Sequence, residues 1–159
     1  MKKLALICAL LTTVFLLACE STQVQTEAPG VSLLNKQLEK ATLGGFGYKS
    51  SDVPSWEYDA WAKVSAPVVQ QTLTQVPDGY VLQVTGHTDS RGPEQAVGAK
   101  PGNIKISTDR AKAVHTSLRN NGITSDKLTY KGVGSSQPLE GVPEDDAQQR
   151  RVSFIVVPQ

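Results

Sequence analysis

Residues 86–111 constrain this chain more than any other stretch. They begin Gly86-His87-Thr88-Asp89 and close Asn103-Ile104-Lys105-Ile106-Ser107-Thr108-Asp109-Arg110-Ala111. The first piece follows an alternating apolar run at 80–85, so Asp89 is expected just past a strand end. The second piece opens a helix. Ser107 has the chemistry of an N-cap, Ile106 and Ala111 are spaced as a hydrophobic staple, and Ala111, Val114 and Leu118 share one helical face. An acid at a strand end and an arginine in the first turn of the next helix can face one small cleft. That pairing suits a ligand carrying both a cation and an anion.

The remaining elements follow from periodicity and turn chemistry. Val31, Leu34, Leu38 and Ala41 predict a short amphipathic helix over 31–41. Residues 44–50 are a Gly-rich candidate for the first strand. Residues 55–76 read as helix, with Trp61, Val64, Val68, Thr72, Leu73 and Val76 on one side. Pro67 predicts a kink or break in it, because an interior proline removes a backbone hydrogen bond. Pro77-Asp78-Gly79 is a turn, 92–102 a Gly/Pro/Ala loop, and 108–121 the second long helix, closed by Gly122 as its C′ glycine. Residues 127–131 and 151–157 are strands, with a polar loop over 134–149. The order β-α-β-α-β-β predicts an α/β (α+β) sandwich, two helices packed on one face of a mixed sheet.

The N-terminus gives an address. Met1-Lys2-Lys3 is basic, 4–18 is apolar but short for an ordinary membrane span, and Leu16-Leu17-Ala18-Cys19 resembles a bacterial lipobox. Residues 1–18 are therefore expected to be a lipoprotein signal peptide. Cys19 is the expected lipidation site, carrying fatty-acyl (palmitate) chains into the bilayer; the alternative is a plain signal peptide that ends near a cysteine. The other cysteine, Cys8, would leave with the leader, so no disulfide is expected despite an oxidising compartment. Loss of Lys2 and Lys3 leaves 14 basic against 15 acidic residues. Such a chain has no nucleic-acid footprint and no basic cluster for lipid headgroups, which leaves the anchoring to the acyl chains. Glu20, rather than aspartate, follows the cysteine and favours the outer membrane. Residues 19–43 then comprise the acylated N-terminus, a polar tether and the short helix.

Four pieces in order carry a family resemblance: Gly86-His87-Thr88-Asp89; Asn103, Ile106, Ser107, Arg110 and Ala111; Gly132-Val133-Gly134 with Pro138; and Gln149-Arg150-Arg151-Val152. Together they resemble the OmpA-like C-terminal domain, a peptidoglycan-binding module, over residues 44–157; the lipobox adds a likeness to peptidoglycan-associated lipoproteins. The resemblance implies a domain over 44–159 that holds the diaminopimelate end of a stem peptide, Asp89 taking the ammonium and Arg110 the carboxylate. A carboxylate accepts several ammonium donors, and a guanidinium fork matches a carboxylate in bidentate fashion. Thr88, Asn103, Ser107 and Arg150 complete the expected ligand-binding set. Three departures stand out: a long gap between Asp89 and Asn103, Gln149 where the family has asparagine, and Asp146 where it often has arginine. The added loop could cover the cleft, and Asp146 could repel a ligand carboxylate if it faces inward.

Plainer readings stand beside these. Asp89 could be a turn-forming aspartate. Arg110 could pair with Asp109 or Asp89, and Arg150 with Arg151 could be a surface pair. Asn103 and Ser107 suit scaffold roles, loop fixing and helix capping. His87, Asp89 and Ser107 could be imagined as a hydrolase triad, but no Gly-x-Ser-x-Gly elbow is present. His87 and His115 are scattered and make no metal site. The expectation is a non-enzymatic, cofactor-free outer-membrane lipoprotein whose periplasmic domain tethers the membrane to the cell wall. The alternatives are an interaction protein that docks envelope proteins, similar to the Pal component of the Tol system, and a cell-wall hydrolase.

Overall fold

The computed structural model describes residues 28–53 and 55–159; the expected leader, Cys19 and most of the tether lie outside the described residues. The helices are α1 (Val31–Leu38, followed by a 3-10 turn at Glu39–Ala41), α2 (Ser55–Val64), α3 (Ala66–Leu73) and α4 (Asn103–Asn120). The strands are β1 (Tyr80–Gly86), β2 (Leu128–Gly132) and β3 (Val152–Pro158), in the sheet order β2-β1-β3. β2 runs parallel to β1 and β3 antiparallel.

β1 is central and puts Leu82 and Val84 into the core, with Phe154 and Val156 of β3 on the same side. α4 covers β1 and β2 through Ala111, Val114 and Leu118, while α1 lies along β3 through Val31, Leu34 and Leu38. Trp61 of α2 stacks on Phe154 with centroids 5.7 Å apart, and its indole N–H donates to Ala41 O at 2.6 Å. Each large apolar side chain buried this way contributes roughly 1.5–3 kcal/mol.

The helix α4 approaches the sheet closely at Gly86 and Gly132, which are register partners. A Cβ on Gly86 would lie 1.9 Å from Ser107 O, and one on Gly132 would lie 2.2 Å from Thr108 N. Two bare backbones side by side let the first half of α4 rest directly on the strand ends. That contact brings the helix beside the residues that follow β1.

Three local readings are corrected. Residues 44–50 do not form a strand. Three glycines weaken the segment, and Gly45 (φ 80°) and Lys49 (φ 57°) turn it out of extended geometry. One bridge, Leu43 with Val152, remains of the expected pairing. Farther along the β3 edge the Asn35 amide takes the place of a strand, donating to Val156 O and accepting from Val156 N–H.

Second, α4 starts at Asn103, so Ser107 is not its N-cap and Ile106 with Ala111 is not its staple. The N–H groups of Asn103 and Ile104 are satisfied by Pro93 O (2.9 Å) and Glu94 O (3.1 Å), carbonyls of the preceding loop. The Ser107 hydroxyl instead donates to Ile104 O and accepts Gly134 N–H, both at 2.9 Å. The other end of α4 is as read: Gly122 (φ 83°) donates to Arg119 O and Ile123 to Leu118 O, a Schellman closure.

Third, the kink ahead of Pro67 falls at Ser65. The buried line through α2 and α3 runs Trp61, Ser65, Val69, Thr72 and Val76, which leaves Val64 exposed and Val68 half-buried. The helix expected over 55–76 is thus broken into α2 and α3, and the helix expected over 31–41 is present and docks against β3.

Candidate functional site

The four motif pieces converge at the C-terminal end of β1. Thr88 N–H donates to Gly134 O and His87 N–H to Arg151 O, both at 2.9 Å, while Val133 N–H donates to Gly86 O. The turn after β2 and the segment before β3 are thereby fixed on either side of residues 87–89. Asn103 at the start of α4 closes the ring. Its amide donates to Asp89 O, Gly92 O and the Glu94 carboxylate.

Asp89 sits in the middle and is 2% exposed. Its Oδ2 accepts from Arg150 Nη1 (2.9 Å) and from Arg91 Nη2 (2.6 Å) and Nε (3.2 Å). Among the described residues its Oδ1 accepts only the Arg91 backbone N–H, at 3.3 Å. Burial pushes the carboxyl up, but the hydrogen bonds and charges of Arg91 and Arg150 outweigh it and hold the group below its ordinary value. Asp89 is therefore ionised at neutral pH. The two arginines differ in anchorage. Arg150 also donates through Nε to Phe46 O (2.7 Å), and its side chain is 15% exposed. Arg91 is 46% exposed and lies over the Tyr48 ring, 4.5 Å from its centroid.

Arg110 is fully buried. Nε donates to Ser50 O (2.8 Å), Nη1 to His87 O (2.7 Å) and Nη2 to Gly47 O (2.9 Å). Burial and the neighbouring Arg150 lower its pKa to about 10, so it stays charged. The fork expected to face a ligand instead clamps the 47–50 turn against the end of β1. Arg110 makes no ion pair with Asp109, whose partner is Lys105.

Asn103 and Ser107 hold the backbone around the site, as their residue types suggest. Thr88 is 5% exposed, and its hydroxyl is buried without a hydrogen-bond partner among the described residues. His87 lies beside Ser153, Nε2 to Oγ 2.8 Å, so His87, Asp89 and Ser107 do not assemble as a triad. Among the described residues no group of three His, Cys, Asp or Glu side chains could hold a metal. The departures from the motif pattern have structural uses. Gln149 is 1% exposed and ties Leu139 N–H, Val142 O and Pro143 O together. Asp146 caps the short 147–149 turn by accepting Gln148 N–H.

Two residues were missed by sequence reasoning. Arg91 is one, and its signal was the Asx turn, an aspartate accepting the N–H two residues on. Glu94 is the other. It accepts from Ser135 N–H and Oγ and from Asn103, which joins the added loop to the turn after β2. Burial raises its carboxyl, and these hydrogen bonds more than reverse the shift. Glu94 left no local mark, because its partners lie across the fold.

With the geometry in place, likeness to known proteins takes on meaning. The chain is 34% identical over 121 residues to the peptidoglycan-binding protein ArfA of Mycobacterium tuberculosis, a match covering 73% of this chain and 33% of that protein. It thus spans a third of that relative's length. It is 27% identical over 148 residues to the outer-membrane lipoprotein YfiB of Pseudomonas aeruginosa, 83% of each chain. Among solved structures, the peptidoglycan-associated lipoprotein of Burkholderia pseudomallei is similar with a TM-score of 0.56 at 23% identity, over 76% of this chain and 93% of that one. The OmpA-like domain of FopA1 from Francisella tularensis gives 0.54 at 21% identity, over 74% and 71%. Both share the fold, a mixed sheet with helices docked on it. The OmpA family model itself matches residues 59–151, from α2 to the Arg150-Arg151 pair, and the chain belongs to that family.

Proposed function

We propose that this domain binds peptidoglycan non-covalently through the diamino acid of the stem peptide, with no catalysis and no cofactor. Asp89 receives the side-chain ammonium. The carboxylate of a diaminopimelate end meets the arginines that have reach, Arg150 and Arg91, and the unpaired Thr88 hydroxyl supplies a further polar contact. Arg110, with its fork already on three carbonyls, builds the cleft wall rather than touching the ligand. The observation that carries this reading is the buried, ionised Asp89, whose charge is met by arginines at the edge of the fold. The similarity to a peptidoglycan-binding relative supports the choice of ligand. Asp89→Ala is expected to weaken sacculus binding by about 2 kcal/mol, roughly thirtyfold, as loss of one partner of a desolvated charge pair does. A pull-down in which folded Asp89→Ala still sediments with sacculi as wild type does would sink the assignment.

The lipobox-like ending at Cys19 supports placement as an acylated outer-membrane lipoprotein with the domain in the periplasm, tethering membrane to wall. The likeness to an outer-membrane lipoprotein points the same way. Modest affinity per site suffices there, because many membrane-held copies face one polymer. The mature N-terminus is expected to be an acylated Cys19. Mass spectrometry finding an unmodified thiol at that position would rule this out.

A further inference from the structure

We propose that Arg91 selects the ligand: it occupies the ammonium position on Asp89 and yields it to a ligand end that brings a carboxylate along with its ammonium. This rests on the peptidoglycan-binding reading above. Arg91 and Arg150 both bond the Asp89 carboxylate, and the charge of Arg110 lies close enough to feel it, so three guanidinium groups stand against Asp89 and the charge of Asp145 near Arg91. The site therefore carries excess positive charge before any ligand arrives. An incoming ammonium meets repulsion there, and the oxygen it needs, Oδ2, already accepts three N–H bonds.

The three arginines are not equally free to leave. Arg110 is buried and bound to three carbonyls. Arg150 is mostly covered and bound to Phe46 O as well as to Asp89. Arg91 is half exposed, and both of its side-chain hydrogen bonds go to Asp89. Beyond that pair it has the face of Tyr48, where a cation–π contact persists if the ion pair opens, and the nearby negative charge of Asp145. Arg91 is the group that can move aside without uncovering a buried carbonyl.

Ion-pair exchange then discriminates between ligand ends. A lysine-type end carries an ammonium alone. It trades one cation on Asp89 for another and leaves the displaced guanidinium without a bonded carboxylate. A diaminopimelate-type end carries both charges. Its ammonium takes Asp89 while its carboxylate accepts the freed Arg91 fork, so one ion pair becomes two. A bidentate carboxylate match is the geometry a guanidinium supplies and an ammonium does not.

The test titrates the full chain in detergent micelles with two soluble stem peptides, one ending in diaminopimelate and one in lysine. Calorimetry compares wild type, Arg91→Ala and Asp89→Ala, each checked for folding by circular dichroism. Wild type is expected to prefer the diaminopimelate stem. Arg91→Ala is expected to shrink that preference by about tenfold, with the lysine stem bound more tightly than by wild type because its competitor is gone. Asp89→Ala is expected to lose both stems. If Arg91→Ala keeps the wild-type preference, or weakens both stems equally, while Asp89→Ala abolishes binding, the selection role is wrong and the binding reading stands. If Asp89→Ala binds as wild type does, or wild type binds neither stem, the underlying reading fails and this inference with it.

Discussion

Arg110→Ala is expected to cost about 3–5 kcal/mol of folding stability, a large share of the 5–15 kcal/mol typical of a domain. The substitution leaves Ser50 O and His87 O without their guanidinium donors and opens a void where a fully buried side chain stood. Gly47 O is less affected, since it also accepts Ser50 N–H. Relief of the Arg110–Arg150 repulsion offsets part of the loss. Arg110→Lys recovers a minor part, because one compact ammonium cannot span three carbonyls. Thermal unfolding followed by circular dichroism is expected to show a drop of roughly 10 °C or more. Hydrogen exchange at residues 47–52 should accelerate well below the unfolding temperature. A variant that melts within a few degrees of wild type, with native exchange in that turn, would return Arg110 to the role of a ligand contact.

What was legible in the sequence depended on how far away the deciding partner lies. β1 read correctly because the spacing of Tyr80, Leu82 and Val84 is a local signal, as is that of Val152, Phe154 and Val156 in β3 and of Leu128 and Tyr130 in β2. The Ala111–Val114–Leu118 face and the Gly122 closure of α4 are equally local. The start of α4 was not. Ser107 has good capping chemistry, but carbonyls from Pro93 and Glu94 reach the helix first and extend it to Asn103. The segment 44–50 lost its strand because nothing in those seven residues announces that Asn35 pairs with the β3 edge at Val156. The site shows the same division. Motif order placed Asp89, Asn103, Ser107, Arg110 and Arg150 in one neighbourhood correctly. It could not say which arginine turns toward Asp89, since Arg110 finds its acceptors 60 and 63 residues earlier in the chain.

Between pH 6.5 and pH 5 the domain is expected to lose stability chiefly through His87, before its buried carboxylates begin to contribute. His87 is 2% exposed, with Nε2 against the Ser153 hydroxyl. Burial, then the charge of Arg151, lowers its pKa to about 3, against a smaller opposing contribution from the backbone of Gln137. In the unfolded chain the same imidazole takes its proton near the ordinary value of about 6.5. The folded pKa is thus the depressed one, and the unfolded state binds more protons throughout the interval. Stability is full above pH 6.5 and falls as the pH drops toward 3, with a slope of about 1.4 kcal/mol per pH unit. Roughly 2 kcal/mol is lost by pH 5 and about 3 kcal/mol by pH 4. Asp89 and Glu94 are held below their ordinary values, so their contributions are full above about pH 5 and add to the loss only as the pH falls through the ordinary carboxylate range. His115 is also lowered by burial, and His115→Gln serves as the control. Urea unfolding from pH 7.5 to 4 measures the slope directly. His87→Asn is expected to be less stable at pH 7 but to flatten the dependence, whereas His115→Gln should leave most of it. A wild-type curve that stays level from pH 6.5 to 5, or a slope unchanged in His87→Asn, would show that His87 is not held neutral. It would then be a buried charge beside Arg151 and Ser153, and the cost of holding it there would have to be met by the rest of the fold.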